Sequence, residues 1–217
     1  MCCRRLVLAV SAAPAGRLLA ELVPEAAGEL ESVLSASLVV MNLGYRRESI
    51  AHPLDGFGFL VPRTERNCPL MGVLWADSIF PHHAPPGYRL LRVFVGGARD
   101  PEAVHRSDAR LLETVREPLR ETLGVRGEPV LIDIRRHVEA IPQYGIGYRH
   151  RVARIRKAVG TVPGLHLVGN YLDGVSLNDC VRVARRCAAE ILDEIGGEEA
   201  QEEPSGRAHM PAGNVAV

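Results

Sequence analysis

Leu165-His166-Leu167-Val168-Gly169-Asn170-Tyr171-Leu172-Asp173-Gly174-Val175-Ser176-Leu177-Asn178-Asp179 decides how the rest of the chain is read. A short apolar run enters a turn punctuated by Gly169 and Gly174, and the turn opens onto a periodic segment. Leu177, Cys180, Val181, Ala184, Cys187, Ala188, Ile191, Leu192 and Ile195 recur at three- and four-residue spacing, which predicts an amphipathic helix over 176–195. Ser176 is placed to cap that helix, and Asp179 three residues on completes a capping-box-like pair. Gly196-Gly197 predicts its end. The free N–H groups at such a helix start make an electropositive pocket, suited to a cofactor's phosphate or to the polar edge of a ring. The small residues let the backbone come close. The same pattern also serves as an ordinary strand-to-helix turn of an α/β unit.

Working outward, Leu6–Val10 is a continuous apolar run of the kind found in buried parallel strands. Met1–Arg5 before it gives the charge-then-apolar order of a secretory signal as well, and the rest of the sequence favours the strand. Pro14 predicts a break, followed by helices over 15–22 and 24–34. Strands are predicted over 38–45, 57–61, 71–79, 90–95 and 130–134, with the 57–61 and 71–79 runs joined as a hairpin. Leu111, Leu112, Val115, Leu119 and Leu123 mark one face of a helix over 108–123, with Ser107 as its cap. Pro118 lies inside that pattern and predicts a kink. Tyr148–Val159 reads as a basic helix, and residues 198–217 are acidic and then Pro/Gly/Ala-rich. The expected class is mixed α/β, with a mixed sheet inserted between two pieces of an α/β domain.

Composition narrows the function. The 217 residues include 47% hydrophobic ones, enough for a sizeable core, and the formal net charge is zero. Charges of both signs are mixed along the chain, which argues against a nucleic-acid partner. No apolar run approaches the ~20 residues that span a bilayer; a cytoplasmic location, with room for peripheral membrane contact, is expected. Five cysteines (Cys2, Cys3, Cys68, Cys180, Cys187) show no zinc-site spacing, and Cys180 and Cys187, on one face of the predicted helix, read as small core residues in a reducing compartment. His82 and His83 are adjacent and make a poor chelate, so no metal site is expected. Gly56-Phe57-Gly58 and Gly145-Ile146-Gly147 each lack the third glycine and the strand–helix context of a dinucleotide fingerprint. No P-loop or nucleophile elbow is present.

A series of stretches, in order, resembles the protoporphyrinogen oxidases. It runs through Val39–Tyr45, Pro53–Pro62, Leu74-Trp75, Ile79-Phe80-Pro81, Ala84-Pro85, Val93–Arg99, Ala140–Tyr144 and Leu165–Cys180. The resemblance covers nearly the whole chain and about half of the family's usual length. It implies a partial FAD-binding, Rossmann-like domain over 1–22 and 163–196, an inserted substrate-binding domain over 23–162, and a disordered tail over 197–217. The cofactor implied is FAD, against Gly169, Asn170, Gly174, Val175, Ser176 and Leu177, with His137 standing where many bacterial relatives carry a tryptophan near the flavin. Leu60 and Leu74 match the aliphatic pair that sandwiches one ring of the tetrapyrrole, and Phe94 matches the stacking aromatic. On residue type alone these three read as plain sheet core.

The resemblance further implies six-electron oxidation of protoporphyrinogen or coproporphyrinogen in three flavin cycles, with dioxygen as the acceptor. The family's strand–GxGxxG–helix and its earlier basic residue for a substrate propionate have no match among these residues, and Val138 replaces a common proline. The chain therefore reads as the C-terminal portion of such an enzyme, partnered by a complementing N-terminal segment or by a second copy. The competing reading is a non-catalytic tetrapyrrole-binding or oligomerisation module. Exposed strand edges and an uncovered face of the 176–195 helix would make the isolated chain poorly soluble.

Overall fold

The computed structural model describes residues 3–65 and 67–202, with side chains described to residue 196. Residues up to Glu31 and those from Arg149 onward form one compact unit; Ser32–Tyr148 forms another. Mixed α/β architecture is confirmed.

The Ser32–Tyr148 unit is built on a five-stranded antiparallel sheet. Its strands are β2 (Ser35–Arg46), β3 (Gly58–Leu60), β4 (Leu70–Trp75), β5 (Tyr88–Gly96) and β6 (Leu131–Pro142), in the spatial order β3-β4-β5-β2-β6. Side chains alternate between faces along each strand. On one face Val39, Met41, Leu43, Val73, Leu91, Val93 and Val95 are fully buried. Each such burial contributes about 1.5–3 kcal/mol. Helix α4 (Asp108–Leu123) adds Leu111, Val115, Leu119 and Leu123 to the same core cluster. Ser107 caps it as expected, its Oγ accepting the Arg110 N–H at 3.3 Å. The helix ends at Gly124 (φ 62°), whose left-handed conformation lets its N–H reach Arg120 O at 3.0 Å. The helix continues through Pro118.

The other unit pairs β1 (Leu6–Leu8) and β7 (Leu165–Leu167) in parallel, Leu6 opposite Leu165. Around them are α1 (Ala12–Leu19), α2 (Pro24–Glu31), α5 (Tyr148–Val159) and α6 (Leu177–Glu202). Helices α1 and α2 meet closely at Gly16, where a Cβ would come within 2.7 Å of Glu31 Cγ and 3.0 Å of Ala27 O. Glu29 of α2 pairs with Arg154 at 2.5 Å and Arg151 at 3.3 Å on α5. The Arg154 hydrogen bond is the main reason the Glu29 carboxyl lies below its usual range. Helix α2 and helix α5 from Arg149 onward belong to this unit.

Several boundaries differ from expectation for physical reasons. Pro14 lies inside α1, not before it, because it occupies the first turn, where no intrahelical donor is needed. The 71–79 run is strand only to Trp75. Ala76–Ile79 forms a short helix, α3, whose buried Asp77 accepts from Arg89 Nη1 (2.7 Å) and the Leu90 N–H (3.0 Å). The final helix continues past Gly196-Gly197 to Glu202. Glycine only weakens a helix unless a left-handed turn follows, and the Glu/Ala-rich residues beyond are good helix formers. Of the expected disordered tail, 203–217 lies outside the described residues.

Candidate functional site

The turn between β7 and α6 sets one group of candidate residues. Ser176 Oγ accepts the Asp179 N–H at 3.1 Å and donates to Asp179 Oδ2 at 2.6 Å, and the Ser176 N–H reaches the same oxygen at 3.4 Å. This is the reciprocal box expected from the sequence. It holds the Asp179 carboxyl below its usual range, first through the Ser176 hydroxyl and then through Arg182. The box uses the Asp179 N–H, and the Cys180 N–H goes to Ser176 O at 3.0 Å. The N–H groups of Leu177 and Asn178 have no partner among the described residues. Val175 and Leu177 beside them are exposed, Leu177 to 80%.

Two glycines shape this turn. Gly174 takes φ 144°, and a Cβ there would strike the Asp179 carboxylate. A Cβ on Gly169 would meet the ring of the fully buried Tyr171. Asp173 anchors the turn from below, bonded by Arg156 of α5 at 2.5 Å and by Arg186 of α6. Burial pushes its carboxyl upward, but the two guanidinium groups outweigh that and leave it lowered. The arrangement offers open donors between exposed apolar side chains. With Asp179 and Asp173 both anionic nearby, it suits the carbonyl edge of a flat, neutral ring better than a phosphate.

The second group lies on the five-stranded sheet, on the face opposite the buried core. Leu60 pairs with Gly72, Gly72 with Phe94 and Phe94 with Val40. Leu74 pairs with Gly58 on one side and Arg92 on the other. Cross-strand partners share a face, so Leu60, Leu74 and Phe94 form one surface. Leu60 is 78% exposed, whereas Leu74 and Phe94 are half-buried. The plain core reading of these three is therefore corrected: the core is made by their neighbours in sequence. Gly72 keeps the middle of this surface low, since a Cβ there would lie 2.8 Å from Leu60 Cδ2 and 2.6 Å from Phe59 O. The turn leading into β3 rests on Trp75. Gly56 lies against its ring, the His52 ring is 4.7 Å away, and His52 Nδ1 accepts the Leu54 N–H at 2.9 Å.

His137 is exposed on edge strand β6, opposite Leu38, and so shares the face of Leu60, Leu74 and Phe94. The register of β2 and β6 breaks immediately beyond it. Glu139 there takes φ 48° and gives its N–H to Ser37 Oγ at 3.0 Å. Such a bulge re-aims side chains at a sheet edge. The structure thus brings His137 together with the expected substrate residues on the Ser32–Tyr148 unit. Gly169, Asn170, Gly174, Val175, Ser176 and Leu177 lie together on the other unit.

Arg92, Asn42, Asp133 and Arg135 escaped the sequence reading. They occupy the same face as Leu74 and Phe94. One sign was legible: Arg92 stands alone as a charge within the apolar run Leu90–Val95 and has the parity of Phe94. Among the described residues no group of His, Cys, Asp and Glu could hold a metal ion, and no helix is long and apolar enough to cross a membrane.

Comparison with known proteins places both units in one family. Residues 3–192 match the family of flavin containing amine oxidoreductases, and the chain belongs to that family. Within it, the chain is similar to proteins named for tetrapyrrole oxidation. It is 31% identical over 168 residues to the coproporphyrinogen III oxidase of Bacillus subtilis, covering 77% of this chain and 36% of the relative. It is 36% identical over 160 residues to the mitochondrial protoporphyrinogen oxidase of Nicotiana tabacum, covering 73% of this chain and 32% of the relative. A crystal structure from Exiguobacterium sp. 255-15, provisionally assigned as a protoporphyrinogen oxidase, superposes with a TM-score of 0.74 at 29% identity, over 88% of this chain and 41% of that one. Cyclohexylamine oxidase from Brevibacterium oxydans shares the fold, with a TM-score of 0.61 at 14% identity, over 89% of this chain and 43% of that one. The chain spans about a third of the length of the curated relatives it matches.

Proposed function

We propose that this chain is the substrate-binding and flavin-contacting portion of an FAD-dependent oxidase acting on a porphyrinogen, either protoporphyrinogen or coproporphyrinogen. The observation that carries this reading is the outer sheet face. Leu60, Leu74 and Phe94 stand together on it with a glycine between Leu60 and Phe94, as a wall for a large apolar ring rather than as core. A mostly apolar wall with a few polar anchors is what such a ligand requires. Val175, Leu177 and the open N–H groups at the start of α6 would hold the ring edge of FAD, with Gly169, Asn170 and Gly174 shaping the turn. Bound FAD supplies the hydride acceptor, and dioxygen the terminal oxidant, which leaves as hydrogen peroxide. The chain's own residues bind and shield; Leu60 and Leu74 clasp one ring, Phe94 stacks, and together they keep water from the reacting macrocycle.

The test is a titration of the chain with protoporphyrin IX and coproporphyrin III, read by the porphyrin absorption band and by fluorescence. Binding is expected, and Leu60→Asp should weaken it at least roughly ten-fold while leaving the fold intact, because Leu60 is exposed. Affinity that ignores Leu60→Asp and Phe94→Ala would sink the reading. A second reading, a porphyrin-binding module that carries no flavin, is favoured by one observation: the whole outer face belongs to one continuous unit with its own core. Incubation with FAD followed by desalting separates the two. Retained flavin absorbance supports the oxidase; porphyrin binding without flavin supports the module.

A further inference from the structure

The outer sheet face carries, beside its apolar wall, a polar row that the packing of the sheet does not require. Arg92 of β5 donates from Nε to Asn42 Oδ1 at 2.9 Å. Asn42 of the central strand donates from Nδ2 to Asp133 Oδ2 at 3.0 Å. Asp133 of β6 pairs through Oδ1 with Arg135 at 2.8 Å. The row thus crosses three strands, and it orients the Asn42 amide with its oxygen toward Arg92 and its nitrogen toward the carboxylate. Asn42 and Arg135 are also the main reasons the Asp133 carboxyl lies below its usual range.

Two features separate this row from ordinary surface pairing. The first is charge. The row holds two guanidinium groups and one carboxylate, and that carboxylate is bonded directly to Arg135, so Arg92 meets the neutral Asn42 amide. Among the described residues the terminal nitrogens of Arg92 have no acceptor. The second is place. Arg92 is half-buried, directly opposite Leu74 one strand away and two residues from Phe94 on its own strand. A guanidinium held by Nε, with its fork open at the border of an apolar wall, is arranged to take a carboxylate in bidentate fashion.

Building on the porphyrinogen reading above, we propose that Arg92 anchors a propionate carboxylate of the tetrapyrrole, that Asn42 and Asp133 position it, and that the anchor favours the tetracarboxylate coproporphyrinogen over the dicarboxylate protoporphyrinogen. A ring seated on Leu60, Leu74 and Phe94 brings one part of its rim over Arg92. Coproporphyrinogen carries a propionate on each of its four pyrroles, so every seating presents a carboxylate. Protoporphyrinogen carries vinyl groups on two of its four, and half of its seatings would leave Arg92 facing an apolar substituent.

The test compares equilibrium binding of coproporphyrin III and protoporphyrin IX to the full chain and to Arg92→Gln, Arg92→Lys and Asn42→Ala, with circular dichroism and the denaturation midpoint as controls on folding. The unmodified chain should bind coproporphyrin III more tightly. Arg92→Gln should weaken coproporphyrin III binding about 10-fold and bring the two ligands close to parity. Arg92→Lys should retain part of the preference, because it keeps the charge without the fork. Asn42→Ala should lower the coproporphyrin preference, which a purely structural role would leave unchanged. If Arg92→Gln keeps both the affinity and the preference of the unmodified chain while Leu60→Asp loses binding, the anchor is refuted and the porphyrin wall stands. If the unmodified chain binds neither porphyrin, the wall and the anchor fall together.

Discussion

The two faces of the five-stranded sheet are made by alternate residues of the same strands, yet they are different materials. Toward α4, Val39, Met41, Leu43, Leu91 and Val93 are fully buried in one apolar core cluster with the helix. One residue away on the same strands, Val40, Asn42, Arg92 and Phe94 stand on the other side, half-buried and chemically mixed. Local propensity hardly distinguishes Phe94 from Val93. What separates them is parity, which buries one set and leaves the other on the outer face, where the proposed ring would sit.

If that division holds, substitutions on the two faces should separate cleanly. Leu43→Ala, which opens a cavity in the sealed core, should cost about 2–5 kcal/mol in denaturant unfolding. A smaller loss would mean the core face is less closely packed than its burial indicates. Gly72→Ala touches the opposite face but not harmlessly. The new Cβ meets backbone of β3 as well as Leu60, so a loss of about 1–3 kcal/mol is expected together with weakened porphyrin binding. A variant that lost binding at unchanged stability would show that β3 can shift freely.

Tyr45 tests the core face through pH. Burial, assisted by the Glu128 carboxylate, pushes its phenol up to about 12. The folded pKa is raised above the unfolded value near 10, so this contribution to stability is complete below pH ~10 and is lost as pH rises through the folded pKa. Absorbance titration of the phenolate band should show a late step that is lost in Tyr45→Phe; a late step undiminished by the substitution assigns it to another tyrosine. Leu60→Ala should have the smallest effect on stability, within about 0.5 kcal/mol, while weakening porphyrin binding several-fold. Appreciable unfolding on this substitution would erase the distinction between the faces.

Much of this was legible in the sequence where a pattern had one periodic cause. The 108–123 helix, with Ser107 as its cap, was readable residue by residue, and so was the Ser176–Asp179 box, because local spacing alone determines both. Strand β6 was not. It runs from Leu131 to Pro142, but only its beginning was expected, since Arg135-Arg136-His137 shows no apolar alternation. An edge strand needs none, because one partner supplies its hydrogen bonds and much of its surface meets water. The apolar wall was recognisable only through a family likeness: Leu60 and Phe94 look like core until cross-strand register puts them on the outer face. The Arg92–Asn42–Asp133 row was least legible, since Asn42 and Asp133 are separated by most of the unit and meet only once β2 and β6 are paired.

The nesting of one unit within the other carries a consequence for how the protein is made. The Ser32–Tyr148 segment is uninterrupted, so once β6 has been synthesised it holds every strand of its sheet and can close by itself. The strand Leu6–Leu8 has no such freedom. Its partner Leu165–Leu167 leaves the ribosome only after the whole inserted unit, and in the interval its hydrogen-bonding edge is open to any other strand. The sequence therefore imposes an order of assembly: the uninterrupted unit first, the unit split between the two ends of the sequence afterwards. Slow elongation through residues 143–164 would lengthen the period in which the nascent chain depends on chaperones.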